Sequence, residues 1–151
     1  RVMVLREHQE LALTVETLEL SGTGTSRVIV WCGLVIQEPH YAVVSLGYMP
    51  EEGGGVYCSR WCYGSPAHKY GLRATMWIVQ VNNEPTPTLD AFIRVVEGLR
   101  NGDSVRMKTI SLNTKPKVVT LKTDYHYWPT VELKRRDESG DWAYVHHPNK
   151  R

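Results

Sequence analysis

The feature that most limits the possible folds is a single helix with one apolar face. The rest of the chain has the pattern of short strands. Between a plausible N-cap at Thr88 and stop signals at Gly98 and Gly102, apolar residues recur at helical spacing: Leu89, Phe92, Ile93, Val96 and Leu99. On both sides of this segment, short runs rich in β-branched and aromatic residues alternate with turn residues. A single longer helix among many strands predicts an α+β domain built on an antiparallel sheet.

The domain is predicted to cover residues 27–123, in the order β-β-β-short helix-β-long helix-β-β. The short helix begins at Pro66 and stops at Gly71, since proline suits a first helical position and glycine suits the residue after a helix. We expect a partly open antiparallel β-barrel or sandwich, capped by one short and one longer helix.

Three further segments flank this domain. Residues 1–20 are predicted to hold a β-hairpin formed by two short apolar runs, and residues 21–26 have the composition of a flexible linker. A hairpin is barely stable alone, so we expect this one to pack on the domain core or on a neighbouring copy. Residues 124–151 are predicted to form an aromatic and charged tail, in which 125–129 pack on the domain and 134–141 are mobile.

Composition excludes several classes of function. The chain has 151 residues, of which 42% are apolar and 23% charged, the balance of an ordinary soluble domain. A formal net charge of +2 is too small to indicate nucleic-acid binding, and no apolar run approaches the roughly 18 residues of a membrane span. The sequence starts with Arg1 and not with Met, so we expect it to be part of a longer chain.

The three cysteines predict free thiols. An odd number cannot all pair, and Cys32, Cys58 and Cys62 each lie in apolar or aromatic company, which favours a reducing, intracellular compartment. Cys58 and Cys62 with nearby His68 suggest part of a metal site, but a fourth ligand at a convincing spacing is missing. We therefore expect no metal and no cofactor.

Two stretches carry a resemblance to a known family. Gly-Ser-Pro-Ala-His-Lys-Tyr-Gly-Leu at 64–72, followed by Ile-Val-Gln-Val-Asn-Asn at 78–83, resembles the signature of PDZ domains. The helix at 90–96 and the strand after Gly102 resemble the last helix and following strand of that fold. The resemblance covers residues 27–123 and implies a peptide-binding module.

A narrower resemblance covers nearly the whole chain. Residues 31–43, 86–92 and 125–129 are similar to the C-terminal PDZ-like region of the fungal nuclear HtrA-like serine proteases, which are implicated in apoptosis. This resemblance implies a nuclear location, places the protease and other PDZ domains upstream in the same polypeptide, and makes residues 1–15 the final hairpin of a preceding PDZ domain. The Gly-Asn-Ser-Gly-Gly element of the catalytic site is absent, and neither Ser59 nor Ser65 has a suitable context. We therefore expect no catalysis from this chain.

The PDZ resemblance assigns a groove to particular residues. A peptide joins the edge of a strand, and backbone N–H groups of the preceding glycine-bearing loop hold its carboxylate. The loop maps to Trp31, Cys32, Gly33 and Leu34, and the peptide-pairing strand to Val35, Ile36 and Gln37. The opposite wall maps to Leu89, Ile93 and Val96 on the helix.

Two functions remain open at this point. In the first, the module captures apolar peptide C-termini or exposed β-strand segments of protein substrates and presents them to the protease. In the second, large residues such as Trp31 close the groove, and the module is an architectural domain that holds a protease assembly together. No nucleic-acid or membrane partner is expected, a homo-oligomer is possible, and the Lys134-Arg135-Arg136 run is either a solvated tail or an import signal.

Overall fold

Short strands with β-branched and aromatic residues form most of the computed structural model, which describes residues 1–17, 24–46, 49–50, 54–112 and 115–147. In order along the chain the elements are β1 (Val2–Arg6), β2 (Gln9–Leu13), β3 (Arg27–Trp31), β4 (Leu34–Gln37), α1 (Tyr41–Ser45), β5 (Val56–Trp61), α2 (Pro66–Lys69), β6 (Met76–Val81), β7 (Glu84–Pro85), α3 (Leu89–Val96), β8 (Ser104–Ser111), β9 (Pro116–Lys122), β10 (Val131–Arg135) and β11 (Trp142–His146).

A single antiparallel sheet organises the domain. Its strands lie in the order β11-β10-β3-β4-β5-β6-β8-β9, with β7 paired to β6, and β1 and β2 form a separate two-stranded sheet. The main hydrophobic core lies between this sheet and α3, and a smaller cluster around Trp77 is separate from it. The predicted α+β class is confirmed, including the open antiparallel sheet.

The two predicted helices form for the reasons that the sequence suggests. The hydroxyl of Thr88 accepts a hydrogen bond from the N–H of Ala91 at 3.2 Å, which caps α3, and the predicted apolar stripe of α3 is buried. In α2, Ser65 accepts from the N–H of His68 at 3.1 Å, and Pro66 occupies the first helical turn. The structure adds α1, a third helix that the sequence analysis did not predict; it buries no residue and has no side-chain cap.

Residues 134–141, predicted to be charged and mobile, begin inside a strand of the sheet, and the mobility of 136–141 stays a prediction. Lys134 and Arg135 lie in β10, which pairs with β3 on one side and with β11 on the other. The N–H of Arg135 donates to the carbonyl of Ser26 at 2.8 Å, and that of Arg136 donates to the carbonyl of Asp141 at 2.7 Å. In the sequence, charged residues on one face of β10 made the apolar positions of its other face, Val131 and Leu133, difficult to recognise as a strand pattern. The tail therefore extends the domain sheet.

The N-terminal hairpin forms as predicted, but its side chains do not enter the domain core. Except for half-buried Val4, the residues of β1 and β2 are exposed. The register pairs Val2 with Leu13 and Val4 with Leu11, so these four aliphatic side chains share one face. Residues 18–23, which include the start of the predicted linker, and the end of the tail at 148–151 lie outside the described residues. The proposed domain boundaries stay predictions.

The aromatic segment 125–129, predicted to pack on the domain, does so in part: Tyr125 is buried, whereas His126 and Tyr127 are exposed. The hydroxyl of Tyr125 accepts a hydrogen bond from the indole Nε1 of fully buried Trp31 at 3.1 Å. The N–H of Tyr125 also donates to the side chain of Asn101 at 2.7 Å. These contacts fix the chain that leads from β9 to β10.

We predict that Tyr125→Phe lowers the free energy of unfolding by about 1–3 kcal/mol, because it leaves the buried Trp31 N–H without an acceptor. Tyr127→Phe is the matched control, since Tyr127 is 75% exposed and its loss of a hydroxyl should leave stability unchanged. Urea denaturation followed by circular dichroism measures both. Equal stability of the two variants would contradict the proposed role of the hydrogen bond.

Candidate functional site: the predicted peptide groove

The predicted carboxylate loop is a two-residue turn that joins β3 to β4. Cys32 and Gly33 have φ angles of +48° and +83°, and the flanking residues Trp31 and Leu34 pair directly. Positive φ at both central positions is the geometry of a type I′ hairpin turn, which matches the twist of the strands that it joins. The four predicted loop residues therefore come together, but as a tight hairpin.

Surrounding segments hold this turn in place. The carbonyl of Cys32 accepts a hydrogen bond from the N–H of Ala67 at 3.1 Å, and the carbonyl of Gly33 accepts one from Cys62 at 2.8 Å. A Cβ atom at Gly33 would overlap the Cβ of Ser65 and would also contact the ring of Trp128. Glycine is thus required here by close packing as well as by its φ angle.

The side chains of the loop point into the protein. Trp31, Cys32 and Leu34 have no exposed surface, and the Trp31 ring meets that of Phe92 edge-on, with 5.6 Å between centroids. Burial raises the pKa of the Cys32 thiol to about 12, so this group is not a reactive thiolate at neutral pH. The loop residues are part of the core.

The predicted peptide-pairing strand is paired along both edges. In β4, Val35 lies opposite Val30 of β3 and Arg60 of β5, and the whole of Leu34–Gln37 has partners on both sides. A peptide can add to β4 in the expected way only if β3 or β5 first leaves it. Whether these residues contact a peptide stays a prediction.

The predicted helix wall faces the core. Leu89, Ile93 and Val96 are 1%, 7% and 1% exposed and pack in the main core cluster. Leu89 also lines a cavity of about 280 Å³ between the end of β4 and the start of α3, together with Glu38, Pro39, Met49, 54–56, Pro87 and Thr88. An Ile93→Lys substitution would therefore disturb the core as well as any groove.

Strand β3 contacts the helix α3 directly. The Arg27 guanidinium lies 2.7 Å from the carboxylate of Asp90 near the start of α3, and Trp31 at the other end of β3 meets Phe92. Arg27 holds the pKa of Asp90 below its usual range. Strand β3 thus pairs with β4 and contacts α3, the two elements between which a peptide was expected.

A buried carboxylate fixes the strands beside β3. Glu132 of β10, whose side chain is 2% exposed, bonds to Arg27 and lies 3.3 Å from the ammonium of Lys134. The His147 ring lies between two carboxylates, with Nε2 at 2.9 Å from Glu132 and Nδ1 at 2.7 Å from Glu97 at the end of α3. This charge cluster ties β3, β10, α3 and the residue after β11 together.

Two opposing effects set the ionisation of Glu132. Burial raises the pKa of Glu132, but hydrogen bonds from His147 and Arg27 outweigh burial and hold that pKa below its ordinary value. Glu132 is therefore ionised at neutral pH. Sequence reasoning missed Glu132 and His147; the signal for Glu132 was a single acidic residue within the alternating segment Val131–Arg135.

Neither Ser59 nor Ser65 has the surroundings of a nucleophile. The Ser59 hydroxyl donates to the carbonyl of Val35 at 3.2 Å, and the Ser65 hydroxyl donates to the carbonyl of Cys62 at 2.7 Å. Within the described ranges, no group of three or more His, Cys, Asp or Glu side chains is arranged to hold a metal ion. No helix in the same ranges is long and apolar enough to cross a membrane.

The comparisons with known proteins establish the class of this chain. Residues 23–102 match the family described as PDZ-like domain, so the chain belongs to that family. Along nearly its whole length it is also similar to HtrA-like serine proteases. It is 55% identical over 139 residues to Protease Do-like 7 of Arabidopsis thaliana, an alignment that covers 92% of this chain and 13% of that protein.

Fungal proteins show the same similarity. Pro-apoptotic serine protease NMA111 of Debaryomyces hansenii is 34% identical over 97% of the chain, and that of Aspergillus clavatus is 37% identical over 99%. These alignments cover 15% and 14% of the two proteins, so the chain spans about one seventh of the length of such relatives. The predicted resemblance is confirmed: the chain corresponds to a PDZ region of proteins named as serine proteases.

We predict that Gly33→Ala lowers the free energy of unfolding by about 2–4 kcal/mol, because it adds a steric overlap with Ser65 to the cost of positive φ. Gly64→Ala is the matched control: Gly64 has a similar φ of +79° but open space around its Cβ direction, so only about 1–2 kcal/mol is expected. Chemical denaturation compares them, and equal losses would contradict the packing argument. Substituting Gly33 by valine consequently tests folding rather than carboxylate binding.

Proposed function

We propose that this chain is an architectural PDZ-type module of an HtrA-like serine protease, in which the chain's own strand β3 takes the position of a bound peptide. The observation that supports the proposal is the pairing of β4 on both edges along Leu34–Gln37. A strand with two partners has no backbone donors and acceptors left for an added peptide.

Strand β3 resembles a peptide ligand in several respects. It runs antiparallel to β4, contacts α3 through Arg27 and Trp31, and ends at the turn where a peptide carboxylate was expected. Unlike a peptide, it continues through Cys32 and Gly33 into β4, so its pairing costs no loss of translational freedom. An external peptide must displace this covalently attached competitor, which lowers the affinity of any such peptide.

A second candidate function is the capture of apolar C-termini or exposed β-strand segments of protein substrates for presentation to the protease. The observation that favours it is the cavity of about 280 Å³ at Leu89, which lies where the far end of a groove was expected. In this case Trp31–Leu34 would hold the carboxylate, Val35–Gln37 would pair with the peptide, and Ile93 and Val96 would line the wall, after β3 has left β4.

The partners of an architectural module are other parts of the same polypeptide. Relatives about seven times as long as this chain support protease and PDZ-like units outside residues 1–151. The aliphatic face of Val2, Val4, Leu11 and Leu13, which is exposed except for half-buried Val4, supports the proposal that the first hairpin completes a preceding PDZ-like domain. Proteolysis is then the activity of those other units, and isolated chain should leave unfolded casein intact.

A role in apoptosis and a nuclear location are also proposals. The first rests on relatives whose printed name is pro-apoptotic serine protease. The second rests on the resemblance to fungal nuclear proteases and on three unpaired cysteines, two of them buried, which suit a reducing compartment. Imaging of the fluorescently tagged parent protein in its own cells tests the location. Fluorescence outside the nucleus, in another organelle or in the medium, would contradict it.

Titration with a library of peptides that end in apolar residues separates the two functions. With β3 in place we predict no saturable binding up to about 1 mM, because displacing a paired strand offsets the few bonds that a peptide gains. The control is each peptide with an amidated C-terminus. Acid-specific binding at micromolar concentration would contradict the architectural proposal and support a carboxylate loop. Equal binding of acid and amide would also contradict it and would support strand capture without that loop.

A further inference from the structure

The last strand of the sheet has one unpaired edge in the part of the chain that the structure describes. Strand β11 pairs with β10 alone, in the register Arg135 with Trp142 through Val131 with His146. The N–H of His147 donates to the carbonyl of Thr130 at 3.4 Å, and the N–H of Arg136 donates to the carbonyl of Asp141 at 2.7 Å.

These bonds fix which backbone groups face outward. In an antiparallel pair, residues alternate between hydrogen-bonded and non-hydrogen-bonded positions. Asp141 and His147 occupy hydrogen-bonded positions towards β10. The even-numbered residues between them therefore occupy the non-hydrogen-bonded positions of this pair. The N–H and C=O groups of Trp142, Tyr144 and His146 therefore point away from β10, along the open edge.

The same three residues present aromatic side chains on the outer face. Trp142 is 46% exposed and Tyr144 is 63% exposed, and the Tyr144 ring lies 5.9 Å from that of His146. Across β10 and β3, this face continues through Leu133 and the half-buried Val28. Backbone bonding groups and apolar side chains are thus exposed together.

The opposite edge of the sheet differs. Strand β9 begins with Pro116 and contains Lys117 and Lys122, and such residues protect an edge from pairing with another strand. Strand β11, with the sequence Trp-Ala-Tyr-Val-His, has no proline, lysine, arginine or acidic residue. It therefore places no like charges against a second copy of itself, and its aromatic and β-branched residues favour strand pairing.

We propose that β11 pairs with β11 of a second copy of this chain, antiparallel and about a two-fold axis at Tyr144. This register places Tyr144 opposite its own counterpart and Trp142 opposite His146 of the other copy. All three outward-facing residues then lie in hydrogen-bonded pairs, which gives six backbone hydrogen bonds across the axis. The two sheets become one, and a closed two-fold pair leaves neither β11 edge free.

This interface is independent of the groove at β4. It uses the free edge of β11, which β10 separates from β3. Pairing there does not require β3 to stay on β4 or to leave it. A peptide-binding result and an assembly result can therefore succeed or fail separately. The surface fits a second copy because the edge is self-complementary in register, hydrogen bonding and absence of charge.

Cysteine cross-linking tests the register. In a hydrogen-bonded antiparallel pair the Cα atoms lie about 5.5 Å apart, a distance that a disulfide spans. We expect Tyr144→Cys to form a covalent dimer under mild oxidation, faster by at least about tenfold than the unsubstituted chain with its three native cysteines. Trp142→Cys alone should not, since two copies of that position lie about 13–14 Å apart along the strands.

A mixture of two cysteine variants and a control variant complete the cross-linking experiment. A mixture of Trp142→Cys and His146→Cys proteins should cross-link, because the proposed register pairs these two positions. Val118→Cys on β9 is the matched control, being exposed to a similar degree at 50% on the protected edge, and should form no disulfide-linked dimer. Sedimentation equilibrium of the unsubstituted chain should give a dimer with a dissociation constant of the order of tens of micromolar.

The proposal is overturned if the unsubstituted chain is monomeric at about ten times that concentration. It is also overturned if Tyr144→Cys cross-links no faster than Val118→Cys, which would assign any dimer to another surface. Association that Val118→Lys abolishes and Tyr144→Lys leaves intact would have the same meaning. Circular dichroism of each variant checks that the fold is retained, as expected because all four substituted positions are exposed.

Discussion

The two-residue turn at Cys32 and Gly33 is the constraint on which the rest of the structure depends. A turn this short leaves no freedom in the direction of the chain: β3 must run back along β4 and pair with it residue for residue. The edge of β4 that a peptide would use is consequently occupied by a strand of the same chain. In the proposed function, the PDZ-like fold is kept and a strand of the same chain fills the position of its ligand.

Strand β3 in turn requires a partner for its second edge. Its second edge is covered by β10, and the ends of this arrangement are fixed by Arg27, Glu132 and His147. Because Glu132 is nearly inaccessible to solvent, its charge is tolerable only with these partners in place. The C-terminal segment is thus a structural part of the domain, and the open edge of the sheet moves outward to β11.

The helices α3 and α2 could be predicted from sequence because local patterns determine them. The apolar stripe of Leu89–Val96 and the Ser65–Pro66 start of α2 are such patterns. The hairpin turn could not, since Cys32 at positive φ lacks the Asn-Gly or Asp-Gly signal that normally indicates this turn. Sequence reasoning assigned Trp31–Leu34 to one loop, but it could not decide between an open loop and a closed turn. That choice depends on long-range contacts with Ser65, Cys62 and Tyr125.

Hydrogen exchange at two amides tests the central claim most directly. Residues that flank a two-residue turn form a hydrogen-bonded pair, so the N–H groups of Leu34 and, two residues on, Ile36 point towards β3. If β3 fills the groove, both amides should exchange at least about a thousandfold more slowly than in an unstructured peptide, in protein without any ligand. Rapid exchange at Leu34 and Ile36, slowed only when a C-terminal peptide is added, would show that the edge of β4 is open and would contradict the account.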